Sequence, residues 1–364
     1  MKVDFANLHL QYKLYKDEID TAIHRVLDES RYIMGPQVQE LEKELAAFTG
    51  AGHCIVCSSG TDALQLALMA LDIGPEDEVI TTPFTFIATG EMIAHLGAKP
   101  VYVDIDDTTY NISPELIERA ITSKTKAIMP VSLYGQPADM DEINAIAAKH
   151  GLAVIEDGAQ SFGALYKDKL SCNLSEFGCT SFFPAKPLVC YGDGGAVFTN
   201  EDDSAAKIIA LRVHGQNQRY RHKYLGIGAR MDTIQAAIIL AKLKHYPDEI
   251  KKRQQVAAKY TELLADHVVT PVVKEDRTSV WAQYSIRVKD RDKVQEGLKQ
   301  AGIPSAVHYP MPLHLQECFK YLGLKPGAFP LAEQVSQEIM SLPMNPFLAM
   351  EEQQYVVEKL KSSL

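Results

Sequence analysis

Between residue 53 and about residue 200, short β-branched or apolar runs alternate with amphipathic stretches of helical period. That order leaves few folds open. Strands separated by helices pair in parallel, and each crossover lays its helix on a face of the sheet. Strands are expected at His53–Cys57, Glu78–Thr82, Pro100–Asp104, Ala127–Val131, Leu152–Asp157, Gly178–Phe183 and Ala196–Thr199. Helices are expected between them at 61–71, 88–96, 113–121 and 139–150, and ahead of them at 17–29 and 37–48. The predicted class is α/β, a mostly parallel sheet covered on both faces, with ligands at the carboxyl ends of its strands.

A long helical pattern over 231–265 is interrupted by Pro247, which predicts a break between two helices. The texture then changes: Val280–Val288 reads as a strand, 290–301 as a helix, Ser305–Tyr309 as a strand, and 329–340 and 350–363 as helices. The expected division is a large domain over 1–250, with its N-terminal segment, and a smaller α+β domain over 251–364.

The 364 residues are 46% hydrophobic and 23% charged, ordinary for a folded globular chain. A formal charge of −10 argues against nucleic-acid binding, and an anionic small substrate would need a local basic pocket. No window reaches the ~18 apolar residues of a membrane helix. The opening Met1–Phe5 has no apolar signal core, and six scattered cysteines fit a reducing cytoplasm. Cys54 and Cys57 have chelate spacing, but in a strand positions i and i+3 face opposite sides. Asp104–Asp107 begins a calcium-like loop in which Thr109 stands where the sharp turn needs glycine, so no metal is expected.

The chemistry concentrates elsewhere. Asp157 ends an apolar strand-like run, Gln160 follows it, and Lys186 lies between Pro184 and Pro187 among aromatics. A lone lysine is usually a solvated one, and a lone aspartate is often a cap. Here the prolines fix the backbone around an amine that an apolar setting would discharge, as a Schiff-base nucleophile requires. A carboxylate facing a pyridinium nitrogen and a lysine able to form a Schiff base are the protein's share of pyridoxal phosphate chemistry. Ser58-Ser59-Gly60-Thr61 follows a strand and opens a helix; it is either an ordinary cap or a phosphate seat on free N–H groups. The Gly192–Gly195 run precedes a strand and reads as a tight turn. Phe84 and Phe86 read as core, with one of them able to stack on a cofactor ring.

These segments, with Tyr32–Pro36, Gly60–Leu64, Tyr134-Gly135-Gln136 and Val307–Pro310, resemble the DegT/DnrJ/EryC1/StrS sugar aminotransferases over nearly the whole chain. The resemblance implies the fold-type I, aspartate aminotransferase-like architecture, with a Schiff base at Lys186, Asp157 on the pyridine nitrogen and Gln160 on the phenolic oxygen. It further implies that Gly60, Thr61 and Ser181 hold the phosphate, that Phe86 packs on the ring, and that Arg230, His308 and Tyr309 lie by a nucleotide sugar. Also implied are a homodimer with shared active sites, glutamate as donor and a UDP-sugar as acceptor. Ser181–Lys186 and Ser171–Leu174 are most similar to members that aminate UDP-2-acetamido-2-deoxy-3-oxo-glucuronate for bacterial surface polysaccharide, O-antigen included. A neutral 3-keto UDP-N-acetylglucosamine or a 4-keto sugar is the alternative acceptor. Sugar dehydratases of the same fold tend to lack the lysine, and a non-catalytic regulatory protein would not need Lys186, Asp157 and Gln160. Two positions depart from the family pattern: Gly228 stands where relatives place an Asn that crosses the dimer to the phosphate, and Val189 replaces a common glycine.

Overall fold

The computed structural model describes residues 1–364. Two helices, α1 (Leu8–Glu29) and α2 (Pro36–Thr49), precede β1 (His53–Cys57). Strict alternation follows through α3 (Gly60–Ala70), β2 (Glu78–Thr81), α4 (Ile87–His95), β3 (Lys99–Tyr102), α5 (Pro114–Ala120), β4 (Thr125–Ile128), α6 (Met140–His150) and β5 (Ala153–Asp157). A hairpin, β6 (Leu165–Tyr166) and β7 (Lys169–Leu170), leads to β8 (Phe177–Ser181) and β9 (Gly195–Thr199). Then come α7 (Asp202–Leu211), a second hairpin of β10 (Gln216–Gln218) and β11 (Arg221–His222), α8 (Thr233–Leu243) and α9 (Tyr246–Leu264). The chain ends with β12 (Tyr284–Arg287), α10 (Arg291–Gln300), α11 (Pro330–Glu338), β13 (Ile339–Leu342) and α12 (Met350–Ser363).

Seven strands make one sheet in the order β1-β9-β8-β5-β4-β2-β3. Every neighbouring pair is parallel except those made by β9, which runs antiparallel to both β1 and β8. The reversal has a local cause. The connection from β8 to β9 is a loop closed by Phe182 N–H to Gly194 O and Cys190 N–H to Phe182 O, both 2.8 Å, with no crossover helix. Strand alternation sorts β1 between two cores: Ile55 and Cys57 pack with α3, α4 and α7, while Cys54 and Val56 pack with α2 and α8. The two cysteines therefore belong to different cores, and no cluster of metal-ligating side chains exists in the chain. The Asp106 carboxylate accepts the N–H groups of Thr108 and Thr109, an Asx-type turn.

A separate core gathers Val256, Tyr260, Tyr284, Ile286, Leu298, Met340 and Leu360, together with Val3 from the N-terminus. Pro247 sits in the first turn of α9, where its missing N–H costs nothing, so the helical pattern breaks just ahead of it at Lys244 and His245. Three expectations need correction. The first helix starts at Leu8, with Leu10 N–H on the Asn7 side chain, well before residue 17. Residues 305–309 form no strand, only an isolated bridge between Ala306 and Ser341. The helix expected over 329–340 stops at Glu338, and the buried run Ile339–Leu342 instead pairs antiparallel with β12. A short apolar run reads alike in either structure. No helix is long and apolar enough to cross a membrane.

Candidate active site

Asp157 is the last residue of β5, and its side chain is held from two sides. Thr89 Oγ1 on α4 donates to Oδ2 at 2.8 Å, and the Ala159 N–H donates to Oδ1 at 3.2 Å. Burial pushes this carboxyl up from its ordinary range, while Thr89, Ala159 and then the Lys186 charge pull it back. Strand alternation sends its neighbour Glu156 to the opposite face, where Ser132 and Ser171 hydroxyls and the Cys172 N–H bind it. The Ser171–Leu174 segment is thus anchored on a fully buried acid behind the site.

Gln160 is oriented without ambiguity. Its Oε1 accepts the Tyr134 N–H at 2.8 Å, so Nε2 is the end that reaches Tyr309 Oη at 3.1 Å. One hydrogen of that amide remains for another acceptor. The start of α3 is equally specific. Ser59 caps it by accepting Asp62 N–H at 3.0 Å, and Ser58 and Ser59 hydroxyls both turn to the Asp62 carboxylate. Ala63 N–H closes on Ser59 O, which leaves the N–H groups of Gly60 and Thr61 as the free donors of the first turn. A Cβ on Gly60 would stand 2.6 Å from Ser181 Cβ, so only glycine lets the helix start approach the end of β8.

Lys186 rides on the β8–β9 loop, its own N–H bonded to Phe183 O at 2.8 Å. The residue is only partly buried as a whole, yet its amine is enclosed deeply enough that desolvation lowers its pKa, with Asp157 opposing. Nearby Val189 is buried, and its carbonyl accepts the Lys242 ammonium at 3.0 Å. His308 is shifted down to about 4 by burial and then by the Lys186 charge, and its Nδ1 lies 2.9 Å from Ser341 Oγ. Tyr309 packs on Phe84 and Phe86, with both ring centroids 6.3 Å away. Phe84 is fully buried, whereas Phe86 is 52% exposed and faces the opening.

These groups converge on one cavity of about 400 Å³ at the carboxyl end of the sheet. Gly60, Thr61, Phe86, Asp157, Gln160, Ser181, Lys186, His308 and Tyr309 all line it; Arg230 does not. Wider hollows along α1 and α2 carry no comparable constellation. Thr89, Asp193 and Gln283 were not singled out by sequence, although the latter two line the cavity. The spacing of Thr85 and Thr89, one helical turn apart with their hydroxyls 3.1 Å from each other, was the available signal for Thr89. The glycine-only approach at residue 60, the free N–H pair, the acid and the amine fit a phosphorylated, planar, nitrogen-containing aldehyde. Such a set defines a pyridoxal-phosphate-type site on an α/β sheet.

Comparison with known proteins agrees. Residues 13–361 match the DegT/DnrJ/EryC1/StrS aminotransferase family, and the chain belongs to it. It is 54% identical to a UDP-2-acetamido-2-deoxy-3-oxo-D-glucuronate aminotransferase of Pseudomonas aeruginosa, covering 95% of this chain and 96% of that one. A Geobacillus stearothermophilus protein named a pleiotropic regulatory protein is 49% identical, over 99% and 98%. Among solved structures, Streptomyces venezuelae DesV in complex with a ketimine intermediate superposes with a TM-score of 0.97 at 38% identity, over 99% and 98%. The PLP form of the sugar aminotransferase Spr1654 of Streptococcus pneumoniae superposes with a TM-score of 0.91 at 28% identity, over 95% of this chain and 96% of that one.

Proposed function

We propose that the chain is a pyridoxal phosphate-dependent aminotransferase that moves an amino group from glutamate to a 3-keto UDP-sugar of the 2-acetamido-2-deoxy-3-oxo-glucuronate type. The observation that carries this reading is the placement of the Lys186 amine and the Asp157 carboxylate in one cavity at the sheet's carboxyl end. The relative at 54% identity supplies the substrate class.

When bound, the cofactor supplies an aldehyde for amino groups and a ring that draws off the electrons released at the reacting carbon. The protein supplies the rest. Asp157, steadied by Thr89, keeps a ring nitrogen protonated, because the buried carboxylate favours a cation beside it. Gln160 donates its spare hydrogen to the phenolic oxygen. Gly60 and Thr61 offer N–H groups, and Ser181 a hydroxyl, to the phosphate. Phe86, which lines the cavity, would pack on the ring. Lys186, its charge disfavoured by burial, takes the proton from the donor's α-carbon and delivers one to the acceptor's former carbonyl carbon. His308 and Tyr309 stand where the sugar would enter.

Borohydride reduction with the cofactor should label the peptide containing Lys186, and Lys186→Ala should abolish turnover. A label elsewhere, or substantial activity in that variant, overturns the reading. A panel of keto nucleotide sugars with glutamate, read by product mass, tests the acceptor. Kinship with a regulatory protein favours a second, non-catalytic reading. A purified protein that stays colourless with added cofactor would establish that reading.

The same reading extends to assembly. Arg230 is half-buried and lies outside its own chain's cavity, while Tyr220 and Leu225 near the β10–β11 hairpin are 79% and 94% exposed. This arrangement supports a homodimer in which Arg230 serves the partner's cavity. The chain is read as two units dividing near residue 250, with Val3 joining the smaller core.

A further inference from the structure

Behind Lys186, on the side away from the substrate cavity, lies a second cavity of about 50 Å³. Lys186, Gln283 and His308 line both, so the lysine stands between the two. Gln11 from α1 and Arg253 from α9 close the small one. Gln11, Arg253 and Gln283 are each more than nine-tenths buried, at 6%, 7% and 5% exposure. Each also carries a buried polar atom that finds no hydrogen-bond partner: Gln11 Oε1, Arg253 Nε and Gln283 Oε1.

Such a group left unpaired in an apolar interior costs on the order of 1–3 kcal/mol, so three beside one cavity call for a shared ligand. Their chemistry specifies it. The Gln11 amide cannot turn round, because its Nε2 donates to both oxygens of Glu249, at 2.9 and 3.0 Å, and a carboxylate only accepts. Arg253 presents a charged N–H, its Nη1 being committed to Trp281 O at 3.0 Å. The fixed Gln11 carbonyl oxygen repels an anion or carboxylate, the guanidinium repels a metal cation, and the Gln283 amide, held by no other group, is free to present its Oε1. Water suits all three, and it needs only about 10–15 Å³ of room with two to four polar partners.

We infer that this chamber is a structural water site, in which one water donates to Gln11 Oε1 and Gln283 Oε1, accepts from Arg253 Nε, and offers its remaining lone pair to a Lys186 N–H. Both hydrogens of that water are committed to the amides, so it can only accept from the amine. The lone pair of the freed, neutral amine then faces the other way, into the cavity where the donor's α-proton is removed. Gln283 is thus a positioning residue acting through water. This role rests on the catalytic reading of Lys186; the water site itself does not.

The test has two arms. A high-resolution crystal structure of the protein without cofactor should show a single water peak within about 3.2 Å of all three atoms. A dry chamber, or a chloride or other ion there, overturns the site whatever the enzyme does. In the second arm, Gln283→Leu lets the water turn a hydrogen toward the lysine nitrogen. The donor half-reaction should slow roughly tenfold, the equivalent of one hydrogen bond. The α-deuterium isotope effect should rise and the donor KM should hold, while Gln283→Glu, which keeps an acceptor, should restore most of the rate. An unchanged isotope effect in Gln283→Leu, with circular dichroism confirming its fold, overturns the positioning role. If borohydride labels Lys186 in both proteins, that failure is separate from any failure of the catalytic reading.

Discussion

At the scale of single residues, Thr89 and His308 show how burial and hydrogen bonding set the state of the site. Thr89→Val removes the 2.8 Å bond to Asp157 and leaves burial to push that carboxyl further up. A hydrogen bond to a charged group is worth ~1.5–3 kcal/mol, so kcat/KM should fall about ten- to a hundredfold, with weaker cofactor retention in a titration. His308 is held neutral down to about 4, below its ordinary 6.5. The unfolded chain takes up a proton there as pH falls from 6.5 to 4 while the folded one does not. The stabilising contribution is therefore complete above about pH 6.5 and lost progressively toward pH 4, about 3 kcal/mol in all. Denaturant unfolding across that window should show a shallower acid loss in His308→Gln than in the parent. Lys186, Asp157 and Gln160 were legible in sequence because short flanking motifs mark them. Thr89 and Gln283 were not, because their partners are brought close only by the fold.

At the scale of elements, the start of α3 against the end of β8 forms the proposed phosphate seat. Gly60→Ala would drive a methyl to 2.6 Å from Ser181 Cβ and 3.2 Å from its Cα. Helix and strand must then part, at a cost of ~1–3 kcal/mol. The melting temperature should drop, and cofactor affinity should fall more than the melt alone explains. The alternating strands and helices of the sheet were readable because each is short, strongly patterned and bounded by turns. The elements past residue 300 were not: Ser305–Tyr309 pairs at a single residue, Ala306, and Ile339–Leu342 extends strand-like from a helix without a breaking residue. Pairing partners, more than local pattern, decided both.

At the scale of the whole molecule, Gly228 and Arg230 bear on the proposed dimer. A Cβ at 228 would meet the tip of the His214 ring, at 3.0 and 3.1 Å, and Arg230 Nη2 at an ordinary 3.8 Å, and the backbone there needs no left-handed conformation. Gly228→Asn should therefore fold, and in a dimer it should tighten cofactor binding by the ~1.5–3 kcal/mol of a charged hydrogen bond. Equilibrium titration alongside sedimentation checks this: tightening that survives dissociation to monomers would remove the cross-subunit explanation. The family resemblance alone announced such a contact, since it would concern a second copy that no pattern within one chain reports.

The reversed strand β9 has one more consequence. Ser181 and Gly195 are register partners across β8 and β9, and everything between them, the lysine included, is a lasso tied where one interior strand ends and the next begins. The amine's location is therefore governed by two wholly buried strands, although the loop itself lies at the rim. Amide exchange at β8 and β9 should rank among the most protected in the protein, and Lys186 should stay in register even while the outer helices fray.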